Sequence, residues 1–161
     1  MRSPFRFEGV IQQAIYQLKY KNIRALAQPL AKLLKDYLLT CPVPGEVLVP
    51  VPLHQKRLRE RGYNQSGLLA RELGKLTNLP LVDNCLIRLR HTSPQAKTST
   101  VTERQSNVAN AFTCRDNRLQ DKQVLLIDDV STSGATLDAC ATALKAAGAA
   151  SVWGLVLARE I

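Results

Sequence analysis

No apolar run in this chain approaches the roughly 18 residues that a membrane-spanning helix needs. The opening Met1-Arg2-Ser3-Pro4-Phe5-Arg6 is followed by no apolar segment long enough for a secretory signal, so a cytoplasmic location is expected. The four cysteines, Cys41, Cys85, Cys114 and Cys140, are far apart and form no C-x-x-C pair. That spacing argues against a zinc site and against a disulfide framework. Cys85 and Cys140 fall within apolar patterns and read as core thiols, and none of the four has a neighbouring histidine to make it a nucleophile. A G-x-x-x-x-G-K-[ST] loop is missing, which excludes a P-loop nucleotidase. There is no internal repeat and no low-complexity tract. Acids are the scarce charge: 13 Asp and Glu stand against 22 Lys and Arg, giving a net charge of +9. Such an excess suits a surface for nucleic acid, or a site that focuses positive charge on a small polyanion, and composition does not choose between them.

What is present is enough for an ordinary α/β domain. The 161 residues are 45% hydrophobic, which allows a real core. The most informative stretch is Val124-Leu125-Leu126-Ile127-Asp128-Asp129-Val130-Ser131-Thr132-Ser133-Gly134-Ala135-Thr136. Four apolar residues in a row read as a strand buried on both faces, as in a parallel sheet. Two carboxylates at its carboxyl end lie where open α/β sheets place ligands. The small hydroxyl residues and Gly134 that follow, with the first turn of a helix, form a cradle of backbone N–H groups for an anion. Gly134 permits close backbone approach, and Thr136 is placed to cap the helix and to donate to a phosphate oxygen. A sugar phosphate satisfies the acid pair and the cradle together. A receiver domain also clusters acids, but its further acceptor Asp and Lys on later strands are not visible here.

Elsewhere, Val10, Ile11, Ala14, Ile15 and Leu18 recur at helical spacing, as do Leu26, Leu30, Leu33, Leu34 and Leu38 after a break near Asn22. Pro29 places a start or a kink in the second helix. Up to Thr40 there are seven Lys and Arg against two acids, which suits a solvated helical face. The Leu18-Lys19-Tyr20-Lys21 turn also suits a contact surface. Val47 to Pro52 reads as a buried strand and its exit, the strand ending near Pro50. His54, Lys56, Arg57, Arg59 and Arg61 then fall in what reads as a basic loop after that strand, fit for a pyrophosphate or simply solvated, and Asn64 is placed to cap the next helix. His54 reads equally well as a ligand contact or a turn residue. Leu81 to Leu89 reads as a strand with one wet face, in which Cys85, Ile87 and Leu89 alternate with Leu86, Arg88 and Arg90. A polar segment over 91–103 reads as a mobile loop, with a short helix over 104–110 and a strand over 111–113 after it. Leu137, Ala141, Leu144 and Ala147 form a helical stripe closed by Gly148, and Ser151 to Leu157 reads as a last strand.

The 124–136 stretch resembles the phosphoribosyl-pyrophosphate (PRPP) motif of the type I phosphoribosyltransferases. With the Pro-Val-Pro strand exit at 50–52 and the Arg-Gly-Tyr-Asn-Gln run at 61–65, it is similar to the ComF-type branch of that family. The Leu-Lys-Tyr segment near residue 19 matches too, as do Arg90, Thr92, Gln95, Arg104, Asn107 and Phe112, which keep the branch's spacing. A cysteine-rich zinc-binding module that commonly opens ComF-type proteins has no counterpart in these 161 residues. The resemblance implies a parallel sheet flanked by helices, organised as a helical part over 1–40, a core over 46–161 and a small hood over about 85–113, all in a single domain.

The resemblance also implies roles. Asp128 and Asp129 hold the ribose hydroxyls. Ser131, Thr132, Ser133, Gly134, Ala135 and Thr136 wrap the 5′-phosphate. His54, Lys56, Arg57 and Arg61 meet the pyrophosphate, while Arg90, Thr92, Gln95 and Arg104 belong to a flexible loop that closes over the substrate. Mg²⁺ is the implied cofactor. It is carried by pyrophosphate oxygens rather than caged by side chains, with Asp128 and Asp129 as its candidate protein ligands. Thr132 stands where purine-salvage members usually carry an acid, so a purine acceptor is not supported. The expected activity is transfer of the 5-phosphoribosyl group with pyrophosphate release, to an acceptor that no residue spells out. The alternative is a non-catalytic PRPP sensor or DNA-uptake protein whose partner is single-stranded DNA or a protein of the competence machinery. A homodimer is compatible with either.

Overall fold

The computed structural model describes residues 1–89 and 111–160. Its centre is β5 (Gln123–Ser131), buried almost throughout. Parallel neighbours flank it: β6 (Ser151–Arg159) on one side and β2 (Val47–Pro50) on the other. A short β1 (Phe5–Arg6) adds to the far side of β6, so the sheet order is β1-β6-β5-β2. A parallel sheet must be covered on both faces, and the strand sequences supply two apolar sides. Leu48, Leu125, Ile127, Leu155 and Leu157 face α1 (Gly9–Tyr20), α2 (Ala27–Thr40) and α4 (Gln65–Thr77), meeting Ile15, Leu18, Leu34, Leu69 and Leu73. Val47, Val49, Val124, Leu126 and Val156 face the other way, onto Leu137, Cys140 and Leu144 of α5 (Ala135–Ala146) and onto Cys85, Leu86 and Phe112. This is the parallel α/β sheet flanked by helices that the sequence implies.

The two N-terminal helices also follow the expected pattern. A 3-10 turn over Arg24–Leu26 marks the break, and Pro29 sits in the first turn of α2, where its missing N–H has no helical partner to lose. The expected strand over Leu81 to Leu89 shrinks to β3 (Leu86–Arg88), paired antiparallel with β4 (Phe112–Cys114) in a separate two-stranded sheet. Cys85 and Leu86 are both buried, so the simple alternation fails where the chain enters the hairpin. Upstream, Leu81 instead bridges Leu48 and covers the free edge of β2. The last strand runs two residues further than expected, to Arg159.

The basic segment after β2 is a helix rather than a loop. α3 (Gln55–Arg61) is capped by His54, whose Nδ1 accepts from Lys56 N at 3.2 Å, and is ended by Gly62 at φ 79°. Only Leu58 in it is apolar, so hydrophobic periodicity carried no signal. Good helix formers, with Arg59 and Arg61 at the negative end of the helix dipole, supply the reason instead.

α4 starts as the sequence suggests, at Asn64. Its Oδ1 accepts from Ser66 N at 3.1 Å, and its Nδ2 donates to Val51 O at 3.0 Å. One side chain therefore caps the helix and ties it to the strand exit. Asn64→Ala is expected to cost about 1–2 kcal/mol in urea denaturation. Asn64→Asp, which keeps the cap but has no amide for Val51, should recover only part of that loss. Full recovery would show that the tie to Val51 contributes nothing.

Candidate functional site

β2 and β5 run in register only as far as Pro50 opposite Ile127. Pro52 and the turn into α3 carry the chain away, while β5 continues through Asp128, Asp129 and Val130 to Ser131. β2 therefore ends before the acid pair, which lies at the carboxyl edge of the sheet. The strand encloses the acids rather than ending before them.

Both carboxylates are buried and held. Asp128 Oδ1 accepts from Ser66 Oγ at 2.7 Å and from Asp129 N at 2.9 Å. Asp129 Oδ1 accepts from Val130 N at 2.9 Å, and Lys19 Nζ lies 2.7 Å from its Oδ2. Burial, together with the neighbouring Asp129 charge, pushes the Asp128 carboxyl up to about 7, against the pull of the Ser66 hydroxyl and of Lys19. Asp128 is thus poised to change protonation near neutral pH, a property expected of a working site as well as of a buried pair.

The anion cradle differs in detail from the expectation. Gly134 at φ 84°, not Thr136, occupies the cap position of α5. Thr136 lies within the first turn, and Ser133 Oγ accepts from Ala135 N at 3.4 Å. The physical reason is the left-handed backbone at Gly134, which turns the chain into the helix two residues earlier. Ser131 ends the strand, Thr132 and Ser133 are exposed, and Ala135 begins the helix.

The C-terminal turn of α1 and the α3 helix enclose a cleft of about 680 Å³ lined by Lys19, Tyr20, Asn22, Arg57, Glu60, Arg61 and Tyr63. Arg57 and Arg61 are thus brought together with Lys19. Arg61 also donates to Gln65 Oε1, and its guanidinium lies 5.4 Å over the Tyr20 ring. Tyr63 donates to Leu18 O and carries Arg24 at 4.6 Å over its face, so it fixes α1 against the turn between α3 and α4. His54 is engaged as the α3 cap, and Lys56 is exposed and does not line this cleft. Arg90, Thr92, Gln95, Arg104 and Asn107, with the expected loop and short helix, lie outside the described residues.

Sequence reasoning missed three participants. Ser66 is buried beneath Asp128, but a serine one residue inside a helix start gives no sign of that. Lys19 stood out only as part of a basic and aromatic turn, although its place beside the buried Ile15 and Leu18 stripe brings it to the sheet edge. Arg88 is pushed below the usual arginine range, first by burial and then by Arg57, and it senses the field of Asp128. Cys85 and Cys140 behave as packing residues: burial pushes Cys85 up to about 12, and Cys140 is also raised by burial and by Asp128.

The family model described as Phosphoribosyl transferase domain matches residues 19–160. The chain belongs to this family. Competence protein F of Haemophilus influenzae is 34% identical over 154 residues, covering 92% of this chain and 67% of that protein. Competence protein ComFC of Bacillus subtilis is 39% identical over 115 residues, 71% of this chain and 45% of that protein. DNA utilization protein YhgH of Escherichia coli K12 is 32% identical over 153 residues, 91% and 66% respectively. The chain thus spans about two thirds of two of these relatives and less than half of the third. Among solved structures, the phosphoribosyltransferase-type fold recurs in glutamine PRPP amidotransferase from B. subtilis, with a TM-score of 0.54 and 20% identity over 81% of this chain and 26% of that one. It recurs also in UMP synthase of Leishmania donovani, with a TM-score of 0.51 and 14% identity over 91% and 24%. This chain is therefore a phosphoribosyltransferase-fold protein of the ComF type, and among its described residues no helix is long and apolar enough to cross a membrane.

Proposed function

We propose that this chain binds PRPP and transfers its 5-phosphoribosyl group to an acceptor, with release of pyrophosphate. The observation that carries the reading is the pair of buried carboxylates near the carboxyl end of β5, with the left-handed turn into α5 five residues on at Gly134. Asp128 and Asp129 accept from the ribose hydroxyls, for which carboxylates need no proton of their own. Backbone N–H groups and hydroxyls over 131–136 take the 5′-phosphate at the start of a 12-residue helix. Arg57 and Arg61 face the pyrophosphate, with Lys56 and His54 at the start of the same helix. The protein's contribution is to position the ribose and to stabilise charge on the leaving group, with no covalent nucleophile.

Among the described residues no three of His, Cys, Asp and Glu converge on a metal position. Two carboxylates fit a magnesium ion whose remaining ligands are substrate oxygens and water. Asp128 and Asp129 would hold it, and the ion would supply charge neutralisation at the pyrophosphate.

Calorimetric titration with PRPP, with and without Mg²⁺, tests the reading. Magnesium-dependent binding is expected, weakened by about 100-fold or more when Asp128→Asn and Asp129→Asn are combined, since each lost charge-assisted hydrogen bond contributes about 1.5–3 kcal/mol. Unchanged affinity in the double variant would remove the ribose assignment.

A second reading rests on a different observation. Tyr16 and Tyr20 are 53% and 63% exposed, their ring centroids lie 4.9 Å apart, and the Arg61 guanidinium lies 5.4 Å over the Tyr20 ring. Exposed aromatics among cations suit single-stranded nucleic acid, and relatives carry competence and DNA-utilization names. A non-catalytic DNA-linked protein would bind single-stranded DNA with a steep salt dependence and release no pyrophosphate with any acceptor. A partner protein in DNA uptake would show neither.

A further inference from the structure

We propose that Lys19 is a positioning residue that exchanges partners on substrate binding, from Asp129 in the free protein to the pyrophosphate of PRPP. The proposal rests on the PRPP reading and adds a residue and a selectivity to it.

Lys19 occupies two places at once. Its ammonium lies 2.7 Å from Asp129 Oδ2, and its side chain lines the cationic cleft with Arg57 and Arg61. Asp129 is 2% exposed and Lys19 21%, so the carboxylate is enclosed while the ammonium stands at the boundary between the acid pair and the cleft. The other oxygen of Asp129 already accepts from Val130 N. A ribose hydroxyl that comes to Asp129 therefore competes with the ammonium for Oδ2. Lysine suits such an exchange: it is a compact charge on a flexible four-carbon stem, with donors that reorient freely.

The exchange is conditional on the whole ligand. Withdrawing the ammonium strands a buried carboxylate, which is strongly unfavourable unless new donors arrive. The ribose hydroxyls are such donors. The ammonium in turn loses its counter-charge unless an anion enters the cleft, and the pyrophosphate supplies it. Ribose 5-phosphate brings the hydroxyls without the second anion. Inorganic pyrophosphate brings the anion without the hydroxyls. PRPP brings the hydroxyls and the anion together, so Lys19 links recognition of the ribose to recognition of the pyrophosphate and favours intact substrate over either fragment.

The test is calorimetry with Mg²⁺ on wild type, Lys19→Gln and Lys19→Arg, each titrated with PRPP, ribose 5-phosphate and pyrophosphate. Lys19→Gln keeps a donor for Asp129 and removes the charge. It is expected to weaken PRPP by about 30-fold, the value of one charge-assisted contact, to leave ribose 5-phosphate within about 3-fold of wild type, and Lys19→Arg should restore part of the PRPP affinity. Equal weakening of PRPP and ribose 5-phosphate would show that Lys19 only holds Asp129, and unchanged PRPP affinity would show no exchange; either overturns the proposal. Wild-type protein that fails to bind PRPP at all overturns the underlying reading instead. A measurement on wild-type protein covers the case of a variant that does not fold. The ¹⁵Nζ resonance of Lys19 should shift with PRPP and stay in place with ribose 5-phosphate, and a resonance unmoved by PRPP overturns the exchange.

Discussion

Lys19→Met is expected to lower the stability of the free protein by about 3 kcal/mol, read as a fall in the urea midpoint at pH 7.5. Removing one partner of a buried ion pair typically costs 3–5 kcal/mol, because the remaining charge is left desolvated and unpaired. The lower end applies here because Lys19 is 21% exposed, so water enters where the ammonium stood. Methionine keeps the apolar length of the stem along α1, so packing against the neighbouring core should change little. The double variant Lys19→Met with Asp129→Asn removes both charges and is expected within about 1 kcal/mol of wild type, as replaced ion pairs often are. Such a cycle separates the pair from the individual side chains. A loss below about 1 kcal/mol for Lys19→Met alone would mean that Asp129 is satisfied without its ammonium, and the contact would then be incidental.

That pair marks the limit of what the chain revealed as a string of letters. The centre of the fold was legible because its signal is local. Four apolar residues before two acids suit a strand buried on both faces, as in a parallel sheet, and β5 is that strand. Asn64 was legible for the same reason, since a cap is a relation between residues two apart. α3 was not legible, because a seven-residue helix with one apolar side chain has no period to read. Its helicity rests on caps at His54 and Gly62 and on its charged helix formers. The move of the α5 cap from Thr136 to Gly134 has a similar origin: both residues favour helix starts, and the backbone turn decides between them. Within the site, the acid pair and the glycine turn were readable, since they are contiguous. Ser66 and Lys19 were not, because they lie 62 and 110 residues from the acids they touch (128 − 66 and 129 − 19). Only the stacking of α1 and α4 on one face of the sheet brings them there.

Asp128→Asn is expected to stabilise the free protein at pH 8 and to flatten its dependence on pH. The folded Asp128 carboxyl titrates near 7, well above its ordinary 3.8, because burial and the adjacent Asp129 disfavour the charged form. Below pH 3.8 both folded and unfolded chains hold the proton, and the group costs nothing. Between 3.8 and 7 the unfolded chain releases it while the folded chain keeps it, so stability falls as pH rises, by at most about 1.4 kcal/mol per unit. Above 7 both forms are ionised and the penalty is constant, on the order of a few kcal/mol. Asparagine carries no charge, and its Oδ1 still accepts from Ser66 and from Asp129 N, so the variant removes the penalty and keeps the two hydrogen bonds. Thermal midpoints from pH 5 to 8 should therefore decline less in Asp128→Asn than in wild type, with the two furthest apart at pH 8. A wild-type curve parallel to that of the variant would mean that Asp128 is ionised throughout. Ligand binding then runs in the opposite sense. On the proposed PRPP reading the ionised carboxylate is the better acceptor for a ribose hydroxyl, so PRPP is expected to bind wild type more tightly as pH rises from 6 to 8. Asp128→Asn lacks this dependence and retains only what comes from the ligand's own phosphates. Opposite pH trends in stability and in PRPP affinity would mark Asp128 as a residue whose burial serves the site rather than the fold.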